Sequence, residues 1–149
     1  MHDVFISYSN KNKDVADSIC HYLEDTGIRC WYAPRDLTPG SDWKEGIVNA
    51  ITEAQIFILI YSEESNHSEQ VKSELAVAED CECKIFTFRI SDEKMNPSFT
   101  YSLKKLHWID AINTPLQNSI KELRARVWMN LGRDEGAALI EELPKAQTS

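Results

Sequence analysis

Ile56-Phe57-Ile58-Leu59-Ile60-Tyr61 is the longest apolar run in the chain, and what surrounds it decides the fold. Its length suits a strand and falls far short of the roughly 18 apolar residues that a membrane helix requires. Helical periodicity lies on both sides. Before it, Ile47, Ala50, Ile51 and Ala54 share one face of a helix predicted over residues 43–54. Asp42 followed by Glu45 supplies an N-cap with an acid at the third helical position. After it, Val71, Leu75 and Ala78 share one face of a helix over residues 69–80, with Ser68 as its cap.

The alternation continues outward. Short β-branched or aromatic runs recur at Val4-Phe5-Ile6, Ile28-Arg29-Cys30-Trp31-Tyr32, Ile85-Phe86-Thr87-Phe88 and Leu106-His107-Trp108-Ile109. Val15, Ile19, Tyr22 and Leu23 mark a helix over 14–26, with Gly27 placed as its terminating glycine. Ile120, Leu123 and Val127 mark a last helix over 116–131. Residues 91–101, with Asn96-Pro97, form a long connection with room for a short helical turn. Strands separated by helices predict an α/β fold, a five-stranded parallel sheet with helices on both faces and right-handed crossovers. The domain is expected to span residues 1–131, with 132–149 as a polar tail or linker.

Charge narrows the functions open to such a fold. Among 149 residues, Lys and Arg total 16 against 24 Asp and Glu, a formal net charge of -8. That balance argues against nucleic acid and against anionic lipid as partners. The amino terminus lacks the basic region and cleavage site of a secretory signal, so a cytoplasmic location is expected. Cys20, Cys30, Cys81 and Cys83 are then expected as reduced thiols. Cys81-x-Cys83 lacks a second pair of ligands, so no metal is expected.

In a parallel sheet of this kind, ligands bind beyond the carboxyl ends of the strands. Neither GxGxxG nor GxxxxGK[ST] occurs there, which removes the dinucleotide fingerprint and the P-loop. A phospho-receiver would need acids after the first strand and an Asp after the third. This chain has Ser7, Ser9 and Ser62.

Three stretches carry a resemblance. Asp3-Val4-Phe5-Ile6-Ser7-Tyr8, Arg35-Asp36-Leu37-Thr38-Pro39-Gly40 and Leu106-His107-Trp108-Ile109 resemble, in order, the three boxes of the Toll/interleukin receptor (TIR) domain family, over residues 3 to 130. The resemblance implies a flavodoxin-like sheet. It also implies one of two functions, because some members signal by assembly alone and others, including many prokaryotic ones, cleave NAD+. The catalytic members place a glutamate in a pattern resembling Ser-x(n)-Trp-Cys-x-x-Glu-Leu. Here Glu74-Leu75 matches its end, while Gln70-Val71 stands in place of Trp-Cys.

One carboxylate suffices for that reaction. Nicotinamide leaves a cationic ring as a neutral molecule and needs no proton, while an oxocarbenium-like ribose develops that a carboxylate stabilises. Glu74 is the expected catalytic residue, on the edge of its helix's apolar face. Tyr8, Ser9, Arg35, Asp36 and Trp43 are the expected ligand-binding residues, Trp43 by stacking and Arg35 by bidentate phosphate contact. Bland alternatives stay open for Glu74, Trp43 and Arg35: a solvated helix Glu, a packing Trp, an Arg35–Asp36 salt bridge. NAD+ is expected as substrate, with no cofactor. Lys11, Lys13 and Arg35 offer local positive charge for its pyrophosphate. The resemblance further implies homo-oligomerisation with other TIR domains through the 35–40 loop, in defence or cell-death signalling. Its alternative is a non-catalytic TIR–TIR interaction module.

Overall fold

The computed structural model describes residues 2–40, 42–103 and 107–132. Five strands form one parallel sheet: β1 (Val4–Ser7), β2 (Cys30–Trp31), β3 (Ile56–Tyr61), β4 (Lys84–Arg89) and β5 (Trp108–Asp110). Their spatial order is β2-β1-β3-β4-β5, so the order reverses between β1 and β3. The expected parallel α/β sheet is therefore present, in flavodoxin-like order.

Side-chain alternation divides the core into two layers. Val4, Ile6, Ile58, Ile60, Phe86 and Phe88 point to one face. There they meet α1 (Lys13–Asp25) and α6 (Leu116–Asn130) through Ile19, Leu23, Ile120, Leu123 and Val127. Phe5, Phe57, Leu59 and Tyr61 point to the other face. There they meet α2 (Trp43–Glu53), α4 (Glu69–Asp80) and α5 (Pro97–Ser102) through Ile47, Ile51, Val71, Leu75 and Phe99. Every residue of β3 is buried, as a central strand covered on both faces requires.

The expected caps are in place. The Asp42 carboxylate accepts from Lys44 N and Glu45 N, and Ser68 Oγ accepts from Val71 N. Gly27 follows α1 at φ +92, in the left-handed region that glycine adopts without penalty.

Some boundaries differ from expectation. β2 holds two residues rather than the five of the Ile28–Tyr32 run, because its neighbours are engaged elsewhere. Ile28 N donates to Leu23 O at the end of α1, and Tyr32 N donates to the Asp36 carboxylate. β5 reaches Asp110, which pairs with Arg89, and Leu106 lies outside the described residues. The helical turn allowed for in the long connection is α5. One further turn, α3 (Glu63–Asn66), has no counterpart in the sequence expectations; a reciprocal Ser62–Ser65 capping box holds it. The proposed tail from 133 onward also lies outside the described residues.

Candidate active site

Ser7 continues the Phe5 face of β1 and thus points toward α4 at the carboxyl edge of the sheet. Glu74 meets it from the helix. Ser7 Oγ donates to Glu74 Oε1 at 2.6 Å, and Gln70 Nε2, one turn earlier on α4, donates to Oε2 at 2.7 Å. Glu74 is only 7% exposed, deeper than the helix-edge position its spacing suggested. Burial raises its carboxyl above the ordinary value, and the bonds from Ser7 and Gln70 pull it back toward the ionised form.

The carboxylate lines a cavity of about 430 Å³ at the point where the strand order reverses. Tyr8 and Asn10 come to it from the end of β1, Ala33 and Pro34 from the loop after β2, Trp43 and Ile47 from α2, and Gln70 from α4. The Tyr8 hydroxyl donates to Ala33 O, which ties the end of β1 to the loop after β2. Burial raises the Tyr8 phenol above its ordinary value, as do Asp17 and Glu74. Trp43 is 47% exposed, so its ring is available to a ligand. A second cavity of about 240 Å³ between α2 and α4 shares Trp43, Ile47, Gln70 and Glu74, which form a common wall.

The six expected site residues thus divide. Glu74, Tyr8 and Trp43 come together around the cavity. Ser9, Arg35 and Asp36 are not among its lining residues. Ser9 Oγ accepts from Lys11 N and caps a 3-10 turn at Asn10–Asn12. Arg35 is committed inward. Its guanidinium bonds both oxygens of Glu24 at 2.9 and 3.0 Å, both oxygens of Asp36, Cys30 O and Cys20 Sγ, and lies over the Tyr32 ring. Lys13 pairs with Asp17 at 3.2 Å. Ser7, Asn10 and Gln70 are the site residues that motif spacing did not nominate. The strand alternation that continues from Phe5 is the signal that would have found Ser7.

An open parallel sheet with a buried carboxylate at its switch-point cavity defines a flavodoxin-like α/β domain with a binding cleft at the carboxyl edge. A TIR domain family model matches residues 4–127, and the chain belongs to that family. No curated protein sequence matches it. Many solved structures share the fold, three of which follow. The TIR domain of the Toll-related receptor TRR-2 from Hydra magnipapillata is 24% identical, with a TM-score of 0.66 over 90% of this chain and 98% of that one. The TIR domains of the activated Roq1 resistosome, which directly recognises the pathogen effector XopQ, are 17% identical, with a TM-score of 0.70 over 85% and 99%. The CMP N-glycosidase BcmB of Clostridium botulinum is 16% identical, with a TM-score of 0.57 over 81% and 97%. Among the described residues no helix is long and apolar enough to cross a membrane.

Proposed function

We propose that this TIR domain is an NAD+ nucleosidase, with Glu74 as its catalytic residue. The observation that carries the proposal is the buried Glu74 carboxylate, held by two donors at the wall of a cavity that also presents an exposed indole. The bond from ribose C1′ to the nicotinamide nitrogen breaks with both electrons going to the ring, which departs neutral. Glu74 faces the positive charge left on the ribose and stabilises it electrostatically. Burial strengthens that attraction but raises the carboxyl, and the donors from Ser7 and Gln70 oppose that rise by favouring its ionised form. Water then adds at C1′ and loses a proton, giving ADP-ribose; attack by an adenine nitrogen gives a cyclic product instead. Trp43 stacks on the nicotinamide. A fold neighbour named as a CMP N-glycosidase supports N-glycosidic chemistry on this architecture.

In this proposal activity follows self-assembly through the 35–40 loop, in which Thr38, Pro39 and Gly40 are exposed. A role in defence or cell-death signalling accords with the Roq1 likeness. The test is nicotinamide release from NAD+ at high protein concentration. Glu74→Gln is expected to lower the rate by roughly 100-fold or more. Equal rates for wild type and variant, or no turnover by the assembled wild type, favour a non-catalytic interaction module instead.

A further inference from the structure

The arginine nominated for phosphate, Arg35, has its donors committed to Glu24, Asp36, Cys20 and Cys30. A second arginine at the carboxyl edge does not. Arg89 ends β4, on the sheet face opposite Phe86 and Phe88 and therefore on the side of α4 and α5. Its side chain is 24% exposed and makes no hydrogen bond among the described residues. Nε is buried without a partner, and Nη1 reaches Asp110 Oδ2 only at 3.8 Å. The guanidinium lies 5.4 Å from the Trp108 ring centroid, a cation–π contact that leaves its terminal nitrogens without a hydrogen bond among the described residues.

Arg89 lines a cavity of about 540 Å³ with Lys94, Met95, Thr100, Leu103 and Trp108. Among the described residues it shares no lining residue with the Glu74 cavity. Lys94 is carried on a pinned segment. Tyr61 Oη donates to Glu93 O at 2.7 Å, Asn66 Nδ2 donates to Lys94 O at 3.1 Å, and Asn96 N donates to Asn66 Oδ1 at 2.7 Å. Tyr61 and Asn66 are both buried, so the backbone that presents Lys94 is anchored in the core. The Lys94 ammonium forms no ion pair among the described residues. Two acids stand nearby: Asp110, more than half exposed, and Glu93, whose Oε1 faces His67 at 3.3 Å.

We propose that the Arg89–Lys94 cavity is a second ligand site, for a small organic phosphate. The planar guanidinium suits two phosphate oxygens at once, and the lysine supplies a point charge for a third. Met95, Leu103 and Thr100 offer the organic part of the ligand a mostly apolar wall. The volume lies within the usual range of small-molecule sites. In a chain of net charge -8, two cations in one cavity, neither hydrogen-bonded through its side chain among the described residues, concentrate the positive potential there.

The experiment titrates the full chain with ADP, with inorganic phosphate and with adenosine. It follows binding by calorimetry and by the indole N–H signals of the tryptophans. Trp108 reports on this cavity and Trp43 on the Glu74 cavity. ADP is expected to bind more tightly than either fragment and to move the Trp108 signal. Arg89→Gln is expected to weaken ADP by about 10-fold, and Lys94→Gln, on an exposed side chain that leaves folding intact, by about 3-fold. The Trp108 response is expected at lower ADP concentration than any response of Trp43, which separates this site from the proposed hydrolytic one. Failure of ADP to bind, ADP binding no tighter than inorganic phosphate, indifference to both cation variants, or a response confined to Trp43 would each overturn the proposal.

Discussion

At Glu74, burial and hydrogen bonding pull in opposite directions, and that opposition can be measured. Burial raises the carboxyl above its ordinary 4.5, so the folded state holds the proton more tightly than the unfolded chain does. The associated stability is fully present below pH 4.5 and is lost as pH rises through the folded-state value. Ionised Glu74 therefore costs stability at neutral pH. Glu74→Gln is expected to have the higher thermal midpoint there, with the difference closing as the solution is acidified. Ser7→Ala removes a donor that favours the charged form. The acid limb of kcat/KM for nicotinamide release should move to higher pH, with a rate loss of about 10-fold from one missing charge-assisted bond. An unmoved limb would mean that Ser7 does not hold the reacting form. The position of Glu74 beside the cleft was legible from the motif its helix resembles, whereas the helix spacing alone suggested a solvated edge acid. Ser7 was not legible, because a serine closing an apolar strand looks like the start of a loop until the strand is laid against α4.

Among the elements, the 35–40 loop shows what pattern reading cannot supply. Its composition and place after β2 were plain, and so was the arginine that suits phosphate. What no spacing reveals is that Glu24, eleven residues earlier on α1, folds back to take both terminal nitrogens of Arg35. The contact depends on how α1 packs beside β2, a tertiary fact. Arg35 is thereby a fastener between α1, β2 and its own loop. Arg35→Ala is expected to destabilise the domain by about 2 kcal/mol, a figure discounted for a side chain about one-third exposed. Denaturant melts and faster proteolysis within the loop would register the loss; an unchanged midpoint would refute the fastening role. The strands tell a similar story. β3 was legible to the residue because burial on both faces leaves an unbroken apolar run. The bounds of β2 and β5 were not, because their ends are set by partners: Asp36 taking the Tyr32 N–H, and Arg89 opposite Asp110.

For the whole molecule, the layered sheet and its carboxyl edge followed from alternation alone, and the cleft lies where the strand order reverses. Whether one copy completes the site is a separate matter, open to a concentration series. If assembly through the loop is required, specific activity should rise with protein concentration. Gly40 sits at φ +82, a conformation that alanine adopts at a cost of about 1 kcal/mol. Gly40→Ala should then move the activity curve to about fivefold higher concentration, in step with the species seen by sedimentation. Specific activity that does not vary with concentration would dismiss the requirement. The shape of the sheet bears on how such copies would meet. Its two borders, β2 and β5, are only two and three residues long. Strands that short give a neighbouring chain almost no backbone ladder to copy, so the sheets of adjacent molecules have little means of fusing into amyloid-like ribbons. If copies gather as proposed, borders this short keep that gathering reversible.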